Sequence, residues 1–205
     1  TEHAANLFGL KEFGNIYSRL GNPTVGALEA RLTALEEGAM CVALSSGTSA
    51  VMYSLINIMS QGDNFVTANQ LYGGTYTMFD NILPEYGINS KKVDITDLEA
   101  VEAAIDEKTR AIYCETITNP GLVVADISAL ADIAHSKGIP LIVDATFTTS
   151  AILKPFEYGA DIVVYSLTKW MSGHGRVIAG AVIEKGGFDW GNGNFPLYDK
   201  PDTSY

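Results

Sequence analysis

Residues 128–147 read SALADIAHSKGIPLIVDATF and join one helix pattern to one strand pattern. Residues 128–137 have the pattern of a helix, and Gly138 is the kind of residue at which such a helix ends. Residues 140–144 are a continuous apolar run that finishes in a carboxylate. Such a run is typical of a strand that is buried on both faces of a parallel sheet. The stretch therefore predicts an α/β fold.

The same alternation of helix and strand patterns continues on both sides of this stretch. Short apolar runs predict six further strands, at residues 39–44, 65–68, 92–95, 111–115, 161–165 and 179–184. Four further helices are predicted at residues 24–37, 49–60, 73–83 and 97–105. Thr24 and Asp97 are the predicted N-caps of two of them, and Gly38 is the predicted end of the first. We therefore expect a mostly parallel sheet with helices on both faces.

The composition describes a folded, acidic chain. Of its 205 residues, 47% are hydrophobic and 18% are charged, which favours a large core and argues against disorder. The chain has 24 acidic and 13 basic side chains, and its net charge of −11 argues against nonspecific binding to nucleic acid or to anionic membranes. Small anions are not excluded, because they need only a local cationic pocket.

No segment predicts export, membrane insertion or a disulfide framework. The sequence has no long uninterrupted apolar run and no basic leader ahead of an apolar segment, so we expect a soluble protein of the cytoplasm. Cys41 and Cys114 are far apart and lie inside apolar runs, which predicts inert core thiols. His3, His135 and His174 do not have the spacing of metal ligands, so no metal site is predicted.

The two ends of the chain differ from its centre. Residues 1–23 contain aromatic and polar groups without a clear helix or strand pattern, and residues 187–205 are rich in glycine with little periodicity. We therefore divide the chain into an N-terminal arm (1–23), a folded domain (24–186) and a loop (187–205). The loop lacks a closing element, which predicts that the chain is the central part of something longer.

Polar residues follow several predicted strands at the point where each strand ends. Residues 45–48 (SSGT) follow the first strand, and residues 166–169 (SLTK) follow the sixth. Glu115 is the last residue of the fourth predicted strand, and Asp144 is the last residue of the fifth. Ligands of open α/β sheets bind at the carboxyl ends of the strands, and small residues at a helix start expose N–H groups that suit a phosphate. The sequence therefore predicts a site for an anionic ligand at this edge.

Each of these residues also has an ordinary structural interpretation. Serine, threonine and glycine are common in turns, an aspartate after a strand often caps the next helix, and Lys169 could be solvated. A lysine that directly follows a buried run, between Thr168 and Trp170, is nevertheless typical of a desolvated amine that reacts with carbonyl groups. The convergence of two acids, a lysine and several hydroxyls is stronger evidence for a functional site than any one of these residues alone.

Several other catalytic motifs are excluded. Ser166 and Lys169 match the SxxK pattern of serine β-lactamases, but no SDN or KTG motif follows them. The sequence has no GxGxxG turn, phosphate-binding P-loop, GxSxG elbow or HExxH motif. His174 lies in a glycine-rich loop close to Lys169, and its role in a site stays open.

Six motifs together resemble those of the Cys/Met-metabolism enzymes, which depend on pyridoxal phosphate (PLP) and have fold type I. In chain order they are YSRLGNPT (17–24), SSGTSA (45–50), LYGGTY (71–76), ETITNP (115–120), VDATF (143–147) and YSLTKW (165–170). The resemblance covers essentially the whole chain and implies the large, cofactor-binding domain of such an enzyme, without its C-terminal domain. Within the family, residues 187–205 are most similar to the O-acetylhomoserine sulfhydrylases.

The resemblance also implies a role for each polar residue. Lys169 resembles the lysine that binds the cofactor covalently and moves the Cα proton, Asp144 the carboxylate beside the ring nitrogen, and Tyr72 the aromatic residue on the cofactor ring. These three are the implied catalytic residues. The full set implied to bind PLP is Tyr17, Arg19, Ser46, Gly47, Thr48, Tyr72, Glu115, Asn119, Asp144, Thr146, Ser166, Thr168 and Lys169.

Tyr17 and Arg19 resemble a pair that reaches the phosphate in a neighbouring subunit, where the Arg19 guanidinium would bind in bidentate fashion. The implied assembly is a homo-oligomer, either a dimer or a tetramer, with shared active sites. Two residues depart from the family pattern. Ala145 stands where many relatives carry asparagine, and Arg176 replaces a residue that is usually small or acidic.

The implied activity is γ-replacement in methionine biosynthesis, in which O-acetyl-L-homoserine and sulfide give L-homocysteine and acetate. A methionine γ-lyase, or an enzyme of the cystathionine γ-synthase or lyase type, shares the same cofactor residues and stays an alternative. The alternative outside enzymes is a catalytically inactive fragment that binds the cofactor and serves as an assembly partner.

Overall fold

A single seven-stranded sheet organises the chain in the computed structural model, which describes residues 1–9 and 11–198. The strand order is β1-β7-β6-β5-β4-β2-β3. The strands are β1 Met40–Leu44, β2 Asn64–Ala68, β3 Asn89–Val93, β4 Thr109–Glu115, β5 Leu141–Asp144, β6 Ile162–Ser166 and β7 Gly180–Glu184. Only β7 runs antiparallel to its neighbours, β1 and β6, within the described residues. The predicted mostly parallel sheet is confirmed.

Helices connect the parallel strands and cover the sheet. They are α1 Glu2–Phe8, α2 Pro23–Glu36, α3 Gly47–Ile56, α4 Gly73–Thr77, α5 Leu98–Ala103, α6 Ile127–Ser136 and α7 Thr149–Ile152. Short 3₁₀ segments occur at Leu83–Tyr86, Pro155–Tyr158 and Trp170–Ser172, and a π-helical turn occurs at Met78–Ile82. In the part of the chain that the structure describes, no helix is long and apolar enough to cross a membrane.

All seven predicted strands are present, and the largest displacement is at β3. Its prediction covered residues 92–95, whereas β3 begins at Asn89 because its register follows β2, with Asn64 opposite Asn89 and Ala68 opposite Val93. β3 is an edge strand whose residues are at most half-buried. Its apolar signal is therefore weak, and the pairing with β2 decides where it starts.

The ends of α2 correct the predicted cap and stop. The N-cap is Asn22 and not Thr24, because the Asn22 Oδ1 accepts hydrogen bonds from the N–H groups of Thr24 and the next residue at 3.0 and 3.3 Å. The helix ends at Glu37, which adopts a left-handed conformation with φ of 59°. Gly38 has a different function: a Cβ atom there would lie 2.7 Å from the Cγ2 of Ile183 on β7.

The predicted helix at 49–60 is α3, which begins two residues earlier and ends at Ile56, and two other helical predictions differ more from the structure. The predicted helix at 73–83 is α4 followed by a π-helical and a 3₁₀ turn, since Pro84 lacks the N–H group that a regular helix would use. The N-terminal arm, for which no element was predicted, contains α1. No side chain of α1 is buried, so the apolar periodicity that reveals a packed helix is missing there.

The central strands β4, β5 and β6 form the core that holds the edge of the sheet in place. α6 packs on this core with Leu130, Ala131 and Ala134 buried. On β4, the ring of Tyr113 stacks edge-to-face on Phe79, with ring centroids 5.2 Å apart. Because these strands are buried and closely packed, the positions of the residues at their carboxyl ends are fixed.

The described part of the predicted C-terminal loop packs onto the domain. Phe195 is fully buried, and its ring contacts those of Phe188 and Trp190 with centroids 5.8 and 5.1 Å apart. Asn192 and Asn194 donate to the carbonyl oxygen of Gly138 at 2.9 and 3.0 Å. Residues 187–198 contain no helix or strand, as predicted, but they are bound to the domain at Gly138, just after α6. Residues 199–205 of the predicted loop lie outside the described residues.

We expect Phe195→Ala to lower the free energy of unfolding by about 3–5 kcal/mol, because the substitution empties a fully buried aromatic site. Urea unfolding followed by circular dichroism measures the effect. Leu197→Ala is the matched control, since Leu197 is half exposed and its truncation should change the free energy by at most about 0.5 kcal/mol. An effect of Phe195→Ala as small as that of the control would show that the tail contributes little to stability.

Candidate functional site

A cavity of about 710 Å³ opens at the carboxyl ends of the parallel strands. Eleven of the thirteen predicted site residues line it: Ser46, Gly47, Thr48, Tyr72, Glu115, Asn119, Asp144, Thr146, Ser166, Thr168 and Lys169. They come from the ends of β1, β4, β5 and β6 and from the loop after β2. The structure therefore brings together residues that the sequence separates by more than a hundred positions.

The N-terminus of α3 packs unusually closely against the end of β6. A Cβ atom at Gly47 would lie 2.4 Å from the Cβ of Ser166, and a Cβ at Gly180 would lie 2.0 Å from the carbonyl oxygen of Ser46. Only glycine fits at these two positions, so the first turn of α3 can sit directly beside the Ser166 hydroxyl. The free N–H groups and the dipole of the helix make this end attractive to an anion.

The hydroxyl groups near α3 have different tasks. Ser46 caps the helix, because its Oγ accepts a hydrogen bond from the Ser49 N–H at 3.1 Å. The Thr168 hydroxyl is bound to the backbone of Ala179, donating to its carbonyl at 3.2 Å and accepting from its N–H at 3.1 Å. The Ser166 hydroxyl has no protein partner within the described residues, which leaves it free for a ligand.

Asp144 is the carboxylate at the end of β5. Its Oδ1 accepts from the Thr146 N–H at 2.9 Å, and its Oδ2 accepts from the Tyr113 hydroxyl at 3.2 Å. Burial raises the pKa of Asp144, and these hydrogen bonds lower it in part. No lysine, arginine or histidine among residues 1–9 and 11–198 forms an ion pair with it. The carboxylate thus opens into the cavity without a cationic partner.

Thr146 connects two walls of the cavity. Its N–H binds Asp144, and its Oγ1 accepts a hydrogen bond from the Ser166 N–H at 2.7 Å. The end of β5 is therefore fixed to the end of β6 by one threonine. This link sets the position of the carboxylate relative to the α3 terminus.

Glu115 holds two loops at the rim of the cavity. Its Oε1 accepts from the backbone N–H of Tyr72 at 2.7 Å, and its Oε2 accepts from that of Asn119 at 3.0 Å. Burial and the negative charge of Asp144, opposite it in the sheet register, raise the pKa of Glu115 to about 7, although the two backbone hydrogen bonds lower it in part. Glu115 thereby positions Tyr72, whose exposed ring reaches the cavity from the loop after β2.

We expect the chain without bound ligand to lose stability between about pH 5 and pH 7.5. Burial raises the pKa values of Glu115, Asp144 and Glu36, so the folded chain binds these protons more tightly than the unfolded chain. Unfolding then releases protons, and its free energy falls as the pH rises. For Glu115 the loss amounts to at most about 3 kcal/mol.

Urea unfolding at several pH values measures this slope. Glu115→Gln should give a flatter profile, while Glu99→Gln, which replaces an exposed glutamate on α5, should leave it unchanged. A wild-type chain that gains stability over this range would contradict the expectation.

Lys169 lies at the mouth of the cavity, just before the 3₁₀ turn Trp170–Ser172. The prediction of a desolvated amine is wrong, because the side chain is exposed. Its ammonium group makes no hydrogen bond or ion pair with the rest of the described chain. The exposed rings of Trp170 and Phe147 flank this opening, and His174 also lines it.

Tyr17 and Arg19 are the two predicted site residues that do not line the cavity of the described chain. Both are exposed, and the Arg19 guanidinium lies 5.3 Å from the centroid of the Tyr17 ring.

Arg176 is exposed in the loop before β7, and Ala145 is fully buried. Cys41 and Cys114 are buried and free, and burial raises the pKa of both thiols, to about 12 for Cys41.

Tyr113, which bonds Asp144 from below the cavity, is one of the site contacts that sequence reasoning missed. It lies on β4 two positions before Glu115, and residues two apart in a strand share a face. That spacing was a usable signal. The identity of its partner, however, depends on β5 lying beside β4, which no local pattern reveals.

The chain is similar to a known family of enzymes and to several curated proteins. A model of the Cys/Met metabolism PLP-dependent enzyme family matches residues 1–198. The O-acetyl-L-homoserine sulfhydrylase of Leptospira meyeri is 48% identical over 205 residues, which is all of this chain and 46% of the relative. The chain thus spans about half the length of the curated relatives that it matches.

Two solved structures share the fold. A Campylobacter jejuni protein described as an O-acetylhomoserine (thiol)-lyase superposes with a TM-score of 0.94 and 41% identity, covering 100% of this chain and 51% of its own. It carries an N'-pyridoxyl-lysine-5'-monophosphate. The cystathionine γ-lyase of Lactobacillus plantarum, complexed with L-serine, has a TM-score of 0.79 and 42% identity over 83% of this chain and 44% of its own. The chain therefore belongs to the Cys/Met metabolism family of enzymes, whose cofactor is pyridoxal phosphate.

Proposed function

We propose that this chain is the cofactor-binding part of an enzyme that converts O-acetyl-L-homoserine and sulfide into L-homocysteine and acetate. The observation that carries the proposal is one cavity in which an unpaired carboxylate, a free lysine and a helix N-terminus converge. The similarity to an O-acetyl-L-homoserine sulfhydrylase supports this substrate.

The residues of the cavity fit the polar groups of PLP. The N-terminus of α3 and the free Ser166 hydroxyl suit a phosphate, and the unpaired Asp144 carboxylate suits a protonated ring nitrogen. The free amine of Lys169 suits an aldehyde. The close approach of Gly47 to Ser166 keeps the helix terminus and the hydroxyl on one small patch, which matches the size of a phosphate group.

We assign the chemistry of the bound state to three side chains. PLP supplies the electron sink for charge released at the substrate Cα. Asp144 holds the proton on the ring nitrogen, and Lys169 binds the cofactor covalently until substrate arrives and then moves the proton at Cα. Tyr72, fixed through its N–H by Glu115, covers the ring. Loss of a proton at Cβ would then let acetate leave from Cγ, and sulfide would add at Cγ as protons return to Cβ and Cα.

We also propose a division of the chain around this site. Residues 24–186 bind the cofactor, the loop at residues 187–198 packs onto that domain, and residues 1–23 reach a neighbouring subunit. Tyr17 and Arg19 are exposed and do not line the cavity of their own chain, which supports a contact with the phosphate of a second copy. The active site would then be shared within a homo-oligomer.

A γ-lyase is the second candidate, because the cystathionine γ-lyase structure shares the fold at 42% identity. The test offers the enzyme O-acetyl-L-homoserine with sulfide and, separately, L-methionine or L-cystathionine. Homocysteine and acetate in equal amounts support γ-replacement, whereas ammonia and a 2-oxo acid from either second substrate favour the lyase. PLP binding without turnover of any of these by the 205-residue chain would favour a cofactor-binding fragment.

A further inference from the structure

Tyr113 reaches the site from inside the sheet. Its side chain is fully buried on β4, and its hydroxyl lies 3.2 Å from the Oδ2 of Asp144. Burial, together with the charges of Asp144 and Glu115, raises the pKa of Tyr113 well above its ordinary value. The hydroxyl therefore keeps its proton and acts as a donor to the carboxylate.

The hydrogen bond from Tyr113 acts on one side of the carboxylate. The Oδ1 of Asp144 is held by the Thr146 N–H at 2.9 Å, and the Oδ2 is held by Tyr113. With one donor on each oxygen, the plane of the carboxylate is fixed. A hydrogen bond to an ionised group also favours its charged form, which opposes the effect of burial.

We propose that Tyr113 is a positioning residue that holds the Asp144 carboxylate, ionised and correctly oriented, for the ring nitrogen of PLP. The inference rests on the proposed function, in which Asp144 pairs with that nitrogen. If Tyr113 only filled space beneath the cavity, loss of its hydroxyl would weaken the binding of every ligand of the same shape equally. If Tyr113 acts through Asp144, that loss weakens only the binding of ligands that carry a basic ring nitrogen.

The test compares PLP with 1-deazapyridoxal 5'-phosphate, in which a C–H group replaces the ring nitrogen. Tyr113→Phe removes the hydroxyl and keeps the ring that packs on Phe79. We expect the Kd of PLP to rise about tenfold, as for the loss of one hydrogen bond to a charged group, and the Kd of the deaza compound to change less than about twofold. Quenching of tryptophan fluorescence follows binding, since Trp170 lines the cavity.

Two further variants control the experiment. Tyr198→Phe removes a tyrosine hydroxyl that binds Asn57 at the opposite end of α3, and it should leave both Kd values unchanged. In an Asp144→Asn background, Tyr113→Phe should weaken PLP binding no further, because its partner charge is already absent. Thermal unfolding confirms that each variant is folded.

Three results would overturn the inference. Equal weakening of PLP and the deaza compound would assign Tyr113 a purely structural role, and unchanged PLP binding would assign it none. If wild-type protein bound both compounds equally well, the pairing of Asp144 with the ring nitrogen would fail, and the inference about Tyr113 with it. Failure of wild-type protein to bind either compound would instead reject the proposed cofactor site as a whole.

Discussion

Lys169→Ala should abolish the visible absorption band of the PLP-bound protein and lower turnover by at least about a thousandfold, given that positioned proton transfer alone contributes about 10²–10⁴. Lys169 is the one lysine that lines the described cavity, so no other amine there can replace it. The variant should still bind PLP weakly through its phosphate and ring. Absorption spectra before and after dialysis measure the covalent and the non-covalent part separately.

Lys185→Ala is the matched control, since Lys185 is exposed just after β7, at the other end of the sheet. Its variant should keep the band, the retention of PLP and the activity of the wild type. Borohydride reduction followed by peptide mass analysis should place the modification on Lys169. A Lys169→Ala protein that retained the band through exhaustive dialysis would contradict the assignment.

Asp144→Asn should raise the Kd of PLP by about 10²–10⁴, because breaking a buried ion pair costs about 3–5 kcal/mol. The same substitution should not destabilise the chain without PLP. Burial raises the pKa of Asp144, so its charge opposes folding as the pH rises, and asparagine removes that charge. The Tyr113 hydroxyl can accept a hydrogen bond from the new amide, which keeps the local packing.

The two effects of Asp144→Asn have opposite signs and are measured independently. Titration with PLP gives the loss of affinity, and urea unfolding near pH 8 gives the stability of the chain without PLP. Asp132→Asn, at an exposed position on α6, should change neither quantity. A variant with weaker PLP binding and equally lower stability would point to damaged packing and not to a lost charge.

The sheet could be predicted from sequence because its strands are continuous apolar runs with polar residues at their ends. Asp144 and Glu115 were located for that reason, since each directly closes a buried run. Helix ends do not follow from such runs. Asn22 and Thr24 are both good caps by residue type, and Asn22 is the N-cap because its backbone is extended and Pro23 takes the first helical position.

The remainder of the site depends on which strands are neighbours. The bond between Tyr113 and Asp144 exists because β4 lies beside β5, and the closeness of Gly47 to Ser166 exists because α3 packs on β6. The exposure of Lys169 likewise follows from the turn and loop after it, which have no periodic pattern. Each of these features is set by contacts between distant segments, which a local pattern does not contain.

The antiparallel strand β7 has a consequence for the order of assembly during synthesis. β1 pairs with no other strand of the described sheet, and Met40 finds its partner in Glu184, 144 positions later. A ribosome therefore releases β1 and α3 long before they can dock, and closing so long a loop delays their pairing. The α3 terminus should reach its place only after the segment with Lys169 has emerged, so a nascent chain acquires the α3 end of its cavity last.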